Sequence, residues 1–395
     1  MKINMSYKIV PLSEVVYFQE GPGLRNWQYA KEGIPFLNIR TLTDEGFINK
    51  SLCQCVKKEE FTNKYEHFLL DEGDFVVSSS GTLGKLAEVR KQDLPIMLNT
   101  SVIRFRPLDT NILDRDFLKW FIKSPLYFRQ IESASTGTAI KNYGPSHLKK
   151  MVIPLPPIAS QRRIANILDK ADEIIRKRKE AIALTEQLQK SIFLDMFGDP
   201  VTNPKGWEIR KLGNICTIVR GGSPRPINDY LGGTIPWIKI GDATEGDDIY
   251  IHKTAEMIKE EGIKKSRYLE PNTLIFANCG VSLGFARILK IGGCIHDGWL
   301  AFSHLNSCIN QIFLLKSLNQ ITQYFRSIAP DGTQPNLNTT IMKNFNIPVP
   351  PIDSQEKFEN IIEQILKKKI KLKESLEESE NLFNSLLQRA FKGEL

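Results

Sequence analysis

The sequence predicts an α+β fold: two tandem globular domains, separated by two long helices with coiled-coil seams. Three observations predict it. The 395-residue chain repeats itself at an offset near 200 residues, each copy closes on a proline-rich junction, and each junction leads into a heptad run.

The repeat starts with Tyr7-Lys8-Ile9-Val10-Pro11-Leu12, which returns as Trp207-Glu208-Ile209-Arg210-Lys211-Leu212. Ile34-Pro35-Phe36 returns as Ile235-Pro236-Trp237, and Leu83-Gly84 as Leu283-Gly284. The clearest match sets Ile153-Pro154-Leu155-Pro156-Pro157-Ile158-Ala159-Ser160-Gln161 against Ile347-Pro348-Val349-Pro350-Pro351-Ile352-Asp353-Ser354-Gln355. The offset drifts within the globular parts and then holds at 194, so loops vary on a fixed scaffold.

The first globular domain is assigned to residues 1–152 and the second to 207–346. Short β-branched and aromatic runs such as Phe75-Val76-Val77, Val102-Ile103-Arg104-Phe105 and Thr273-Leu274-Ile275-Phe276 sit between turn-forming residues, which predicts a mostly antiparallel, curved sheet in each. A helical stretch is expected from Asp116 to Ile131.

Residues 153–198 and 347–395 are each a proline junction plus a long helix, with 199–206 as linker. The prolines keep the chain extended, and Ser160 or Ser354 is the expected N-cap. In the first helix the seam reads Ile164, Leu168, Ala171, Ile175, Arg178, Ile182, Thr185, Gln189, Ile192 and Met196. In the second it reads Phe358, Ile362, Ile365, Lys369, Leu372, Leu376, Ser379, Phe383, Leu386 and Ala390. A helix of about 35 residues is ~50 Å long, so it needs a long partner. Polar seam entries more often fix register than add stability. Phe197-Gly198-Asp199-Pro200 is a glycine stop followed by proline.

Composition is that of an ordered globular chain, 41% hydrophobic and 25% charged. The net charge of +8 favours a polyanionic partner. Residues 1–16 are broken by Asn4, Ser6, Lys8, Pro11 and Glu14, and nothing further on is apolar for the ~18 residues of a membrane span, so no membrane partner and a cytoplasmic location are expected. The six cysteines read as reduced core residues, and Cys294, His296, His304 and Cys308 match no zinc spacing, so no metal is expected.

Catalytic motifs are missing. The Pro-Pro pairs Pro156-Pro157 and Pro350-Pro351 lack the Asn/Asp-Pro-Pro-aromatic order that an amino-methyltransferase uses to hold a flipped base, and no Rossmann glycine fingerprint occurs. Gly81-Thr82-Leu83-Gly84-Lys85-Leu86 lacks the spacing of a phosphate loop and reads as a glycine-bearing turn. Asp242, Glu245, Asp247 and Asp248 lie in a Gly-rich stretch without an equivalent in the first half, as solvated turn residues do rather than a nuclease centre.

The run from Pro154 to Asp169, its partner from Pro348 to Ile362, and the stretch from Phe197 to Lys211 that contains Pro204-Lys205-Gly206-Trp207 resemble the specificity subunits of Type I restriction-modification enzymes. The resemblance spans nearly the whole chain. It implies a non-catalytic subunit whose two target recognition domains read the halves of a split, asymmetric sequence in double-stranded DNA, with the long helices pairing as an antiparallel coiled coil that serves as spacer and gives the chain internal pseudo-two-fold symmetry. It also implies partner DNA adenine methyltransferase subunits and restriction/translocase subunits. S-adenosylmethionine, ATP and Mg are then expected on those partners and no cofactor on this chain. Heads turned to a duplex in opposite orientations behave as two-fold dimers do on half-sites, so helix length should set the gap between half-targets. A coiled-coil adaptor whose heads bind proteins stays open as the alternative.

Base recognition needs polar side chains on loops, with arginine favouring guanine and Asn or Gln favouring adenine. The loops that differ between the halves hold Arg25, Asn26, Arg40, Ser79, Ser80, Thr82, Thr138, Lys141 and Asn142 in the first domain. In the second they hold Arg220, Arg225, Lys239, Asn278, Thr333, Gln334, Asn336 and Asn338. Of these, Thr138 and Thr333 recur as Gly-Thr in both halves and fit a shared backbone or phosphate element. Partner docking and helix pairing are assigned to Ile164, Leu168, Ile175, Ile182, Ile192, Phe358, Ile362, Ile365, Leu372, Leu376, Phe383 and Leu386.

Overall fold

A computed structural model of the chain describes residues 7–133, 142–243, 249–329 and 336–395. Two compact units form, Met1–Lys179 with Glu374–Leu395, and Glu180–Lys373. These units cut across the sequence-drawn boundaries at 153–198 and 347–395. Each unit holds one head, the start of the helix that follows it, and the end of the other long helix.

In the first unit the central sheet has the order Val16–Glu20, Val102–Pro107, Phe75–Ser78, Leu86–Glu88, antiparallel throughout. Alternation explains why these strands are apolar on both faces. Phe75, Val77, Ile103 and Phe105 face a core built with Phe117, Trp120, Phe121 and Tyr127. Val76, Ala87 and Val102 face another built with Leu37, Ile96 and Leu98. The helix expected from Asp116 to Ile131 is two helices, Arg115–Lys123 and Pro125–Ser133. Pro125 biases Ser124 to extended geometry, and the Ser124 hydroxyl accepts from the Tyr127 N–H at 3.3 Å.

The second unit repeats this plan with the order Thr217–Arg220, Trp299–Ser303, Leu274–Ala277, Ala286–Leu289 and an added Tyr250–Ile251. The added strand runs parallel to Ala286–Leu289. Its four-stranded side sheet also contains one parallel pairing, Trp237 and Ile238 on Cys294 and Ile295.

Each junction is a strand before it is a helix. Val152–Leu155 pairs antiparallel with Lys8–Pro11 in the first unit, and Asn346–Val349 with Glu208–Lys211 in the second. The junction therefore stitches the end of a head to its beginning. The long helices are Ile158–Phe197 and Ile352–Ala390. They start earlier than expected: Ser160 N–H already donates to Pro157 O at 2.8 Å, and Ser354 N–H to Pro351 O at 3.0 Å, so both serines lie inside the first turn rather than capping it.

One residue further, a glutamine is fully buried. Gln161 Oε1 accepts from Asp114 N–H at 2.7 Å, while Nε2 donates to Ile112 O at 2.9 Å and to Pro156 O at 2.8 Å. Gln355 Oε1 accepts from Asn310 N–H at 2.8 Å, with Nε2 donating to Cys308 O at 3.0 Å and Pro350 O at 2.7 Å. The amide satisfies three main-chain groups that would otherwise be buried without partners.

The helix segments run antiparallel within each unit. In the first, Arg178 Nη1 donates to Ser375 O at 2.6 Å, while Ile164 and Leu168 share a core with Leu387 and Phe391. In the second, the buried Lys369 pairs with Glu186 at 2.8 Å, and Phe193 packs on Phe358. Ile164, Leu168, Ile175, Phe358, Ile362 and Ile365 are buried, whereas Ile182, Ile192, Leu372, Leu376, Phe383 and Leu386 are half-buried. Phe193 and Leu387 take the buried places beside Ile192 and Leu386, because each helix end also packs on a head. Gly198, at φ +78°, ends the first helix. All six cysteines are free, but Cys53, Cys55, Cys279 and Cys308 are half-buried rather than core residues. Among the described residues, no helix is long and apolar enough to cross a membrane.

Replacing Gln161 by leucine keeps the volume and orphans three buried groups. We expect a loss of about 2–4 kcal/mol in the first unit, seen as an earlier urea transition, with Gln355→Leu doing the same to the second.

Candidate nucleic-acid interface

In the first head the chain gathers four loops at one end of the central sheet. Strand Phe75–Ser78 runs into a hairpin whose turn is tied by Ser78: its hydroxyl donates to Thr82 O at 2.5 Å and accepts from Lys85 N–H at 2.9 Å. Gly81 and Gly84 hold positive φ there, so the glycine turn is a hairpin. The chain returns beside it, with Ser80 bridged to Asn142 and Tyr143 N–H donating to Ser79 O at 2.9 Å. The turn at Asn99 and Thr100 lies alongside, since Ser79 N–H donates to Ser101 O at 2.9 Å and Thr100 N–H to Pro22 O at 3.2 Å.

Pro22 opens the loop that carries Arg25, Asn26 and Trp27. A Cβ on Gly21 would fall 2.4–2.6 Å from the Asn99 backbone, so only glycine lets the loop cross here. Gln28 is buried and fixes the loop's far side, accepting from Arg25 N–H at 2.8 Å and donating to Tyr65 Oη at 2.8 Å and Glu60 Oε2 at 3.1 Å. Arg25, Asn26 and Trp27 are left exposed, Trp27 by 71%. Arg40 is exposed on the turn Ile39–Thr41, whose Ile39 packs beside Gly81.

The second head builds the same frame. Cys279 bridges Asn336, Leu337 N–H donates to Asn278 O at 2.8 Å, and Asn278 N–H donates to Gly298 O at 3.0 Å. A Cβ on Gly221 would lie 2.2 Å from His296 O, the counterpart of Gly21 on Asn99. Arg220 Nε donates to Asp297 O at 2.9 Å, and Arg225 is exposed on the loop that follows. A cleft of about 630 Å³ opens beneath it, lined in part by Trp237, Lys239, Glu256 and His296. Burial pushes the His296 imidazole below its ordinary pKa against the pull of Asp297, and Arg225, Lys239 and Arg220 push the same way. Partial burial opposes ionisation of Asp297, yet the Ser223 hydroxyl, His296 and the two arginines hold its carboxyl below the usual range.

Arg25, Asn26, Arg40, Ser80, Thr82 and Asn142 thus gather in one head, and Arg220, Arg225, Lys239 and Asn336 in the other. Three expected residues have other duties. Ser79 and Asn278 are buried in the frame, and Asn278 Nδ2 donates to Asn336 Oδ1 at 3.2 Å. Asn338 caps the helix Thr339–Asn344, accepting from Ile341 N–H at 2.9 Å. Asp242 caps a turn, accepting from Lys239 N–H at 2.7 Å and Ala255 N–H at 2.8 Å. Thr138, Lys141, Thr333, Gln334, Glu245, Asp247 and Asp248 lie outside the described residues. Sequence reading missed Trp27 and the pair His296-Asp297. The signal was there for the pair, because it precedes the final sheet strand where Asn99-Thr100 precedes its counterpart.

Two α+β heads thus share one frame, and each is crowned by polar loops with different side chains. A family model described as the Type I restriction modification DNA specificity domain matches residues 4–184 and 204–379, and the chain belongs to that family. The Type I restriction enzyme MjaIX specificity subunit of Methanocaldococcus jannaschii is 22% identical, over 95% of this chain and 89% of its own length. The EcoKI specificity subunit of Escherichia coli K12 is 22% identical, over 100% and 90%. The fold is shared with a solved chain from a study of complex assembly and conformational transition of the type I R-M system, at a TM-score of 0.65 and 18% identity over 98% of both chains. It is also shared with the S subunit from M. genitalium, at a TM-score of 0.53 and 20% identity over 98% and 96%.

Gly21→Ala and Gly221→Ala each force the loop that follows off its turn. Each should weaken binding to a specific duplex by roughly tenfold, a cost of ~1.4 kcal/mol, with the circular dichroism spectrum unchanged; fluorescence anisotropy reads the affinity.

Proposed function

We propose that the chain reads a split, asymmetric sequence in double-stranded DNA, one half with each head, and docks methyltransferase and restriction subunits through its long helices. The observation that carries this reading is that one frame, fixed by Gly21 or Gly221 and by the Ser80–Asn142 or Cys279–Asn336 bridge, presents different side chains in each head. A constant frame with variable tips is what two independent readers of different sequences require.

On this reading Arg25, Asn26, Arg40, Ser80, Thr82 and Asn142 meet one half-target, and Arg220, Arg225, Lys239 and Asn336 the other; Thr138, Lys141, Thr333 and Gln334 belong to the same loops. Arginine and lysine supply phosphate attraction as well as base contacts. The chain works in the cytoplasm with methyltransferase subunits that use S-adenosylmethionine to methylate adenine, and with translocase subunits that use ATP and Mg. The partners' cofactors need no site on this chain.

Mapping N6-methyladenine in cells that express the chain with active methyltransferase subunits should return one two-part motif. Swapping residues 1–150 for those of a relative should change one half of it, and swapping 207–346 the other. An assembled, active complex that methylates no defined motif would favour the adaptor reading.

A further inference from the structure

Arg225 faces a carboxylate at ion-pair range, whereas among the described residues Arg25, 200 residues earlier at the corresponding loop position, has no such pair. Its side chain is 80% exposed, and Nη2 lies 3.9 Å from Oδ2 of Asp297, at ion-pair range. The other oxygen of that carboxylate accepts from the Ser223 hydroxyl at 2.7 Å and pairs with His296 Nε2 at 3.0 Å. His296 Nδ1 accepts from Gly298 N–H at 3.0 Å, which leaves the ring proton on Nε2 for Asp297. The main chain of Asp297 is held too: its carbonyl accepts from Arg220 Nε at 2.9 Å, and its N–H donates to the Ser223 hydroxyl at 3.3 Å. The carboxylate behind Arg225 is therefore fixed, while the guanidinium it faces reaches into solvent.

A carboxylate beside an arginine separates two roles. An arginine that binds phosphate loses by it, because the carboxylate repels the phosphate and reduces the local positive field. An arginine that reads a base gains, because a long side chain with about 2 kcal/mol of rotamer entropy is held with its planar fork in one orientation. Two parallel N–H donors match O6 and N7 of guanine in the major groove. Adenine presents a donor at N6, and cytosine and thymine lack the paired acceptors. The matching turn of the first head is Asn99-Thr100, which has no carboxylate.

We propose that Arg225 reads a guanine in the half-target of the second head, with Asp297 as the residue that positions it. This rests on the split-target reading above and adds to it one base and one pair of residues.

The test uses the full chain with its methyltransferase subunits, once the wild-type motif is mapped and the half that follows residues 207–346 is known. That half should contain a G·C pair at which Arg225→Ala and Arg225→Lys both lose discrimination, by about 5- to 150-fold. Asp297→Asn should lose part of it at the same pair and leave the other half-target intact. 7-Deazaguanine at that position should weaken binding by the wild type and make no further difference to Arg225→Ala; thermal melts confirm that the variants fold. A half-target without a G·C pair overturns the proposal. So does an Arg225→Lys protein with unchanged preference, or an Arg225→Ala protein that weakens on all sequences alike with a shallower salt dependence, as a phosphate contact would. No motif at all from an active wild-type complex would instead remove the split-target reading, and this assignment with it.

Discussion

A buried side-chain amide sits where each head becomes a helix, and the rest of the structure depends on it. Gln161 and Gln355 each turn an extended proline segment into a helix while accepting one main-chain N–H and donating to two carbonyls. A buried polar group is costly unless its hydrogen bonds are complete, and these are complete. Asp114 and Asn310, whose N–H groups the glutamines receive, are themselves N-caps of the head helices Arg115–Lys123 and Gln311–Gln320. One side chain thus fixes the exit angle of a long helix against the helix that covers the sheet. The junction strand adds a second tie, pairing the end of each head to its start.

The long helices extend that constraint instead of forming a separate rod. Phe193 and Phe197 belong to the core of the second head, and Leu387, Ala390 and Phe391 to that of the first. Aromatic anchors at helix ends bury large apolar areas, whereas the second unit's stretch of the seam also carries polar residues, with Lys369 paired to Glu186 and Gln189 buried without a hydrogen-bond partner among the described residues. Polar entries in such a seam fix register more than they add stability. The helices inherit their positions from the heads, and the polar loops inherit theirs from the sheet ends.

Much of this was legible in the sequence because the chain is written twice. The junctions, the helices, the order of domains and the position of the variable loops all follow from matched segments at a nearly constant offset. What the repeat did not disclose is chemistry that differs between copies. Ser79 and Asn278 look like reading residues because they are small, polar and in a turn, yet the frame buries them. Asn338 has the composition of a loop but serves as an N-cap. Ser160 and Ser354 satisfy the rule for a cap, but the proline before the helix already supplies the first acceptor. His296 reads as a stray metal-type ligand in the sequence, because Ser223, which holds the neighbouring Asp297, reaches it only through a loop crossing that no local pattern records. Trp27 was missed since an exposed tryptophan has no sequence signature apart from the buried Gln28 behind it.

The central claim is that one constant frame presents a reading surface at the same end of both heads. Hydrogen exchange of the full chain, with its target duplex and with a scrambled duplex of equal length and salt, tests it most directly. Target-specific protection confined to residues 21–28, 39–41, 79–82 and 138–143 in the first head and to 220–228, 239–242, 279–282, 296–298 and 333–336 in the second is the predicted result. Protection in one head only, or on the outward faces of the long helices with the loops unchanged, would contradict the account.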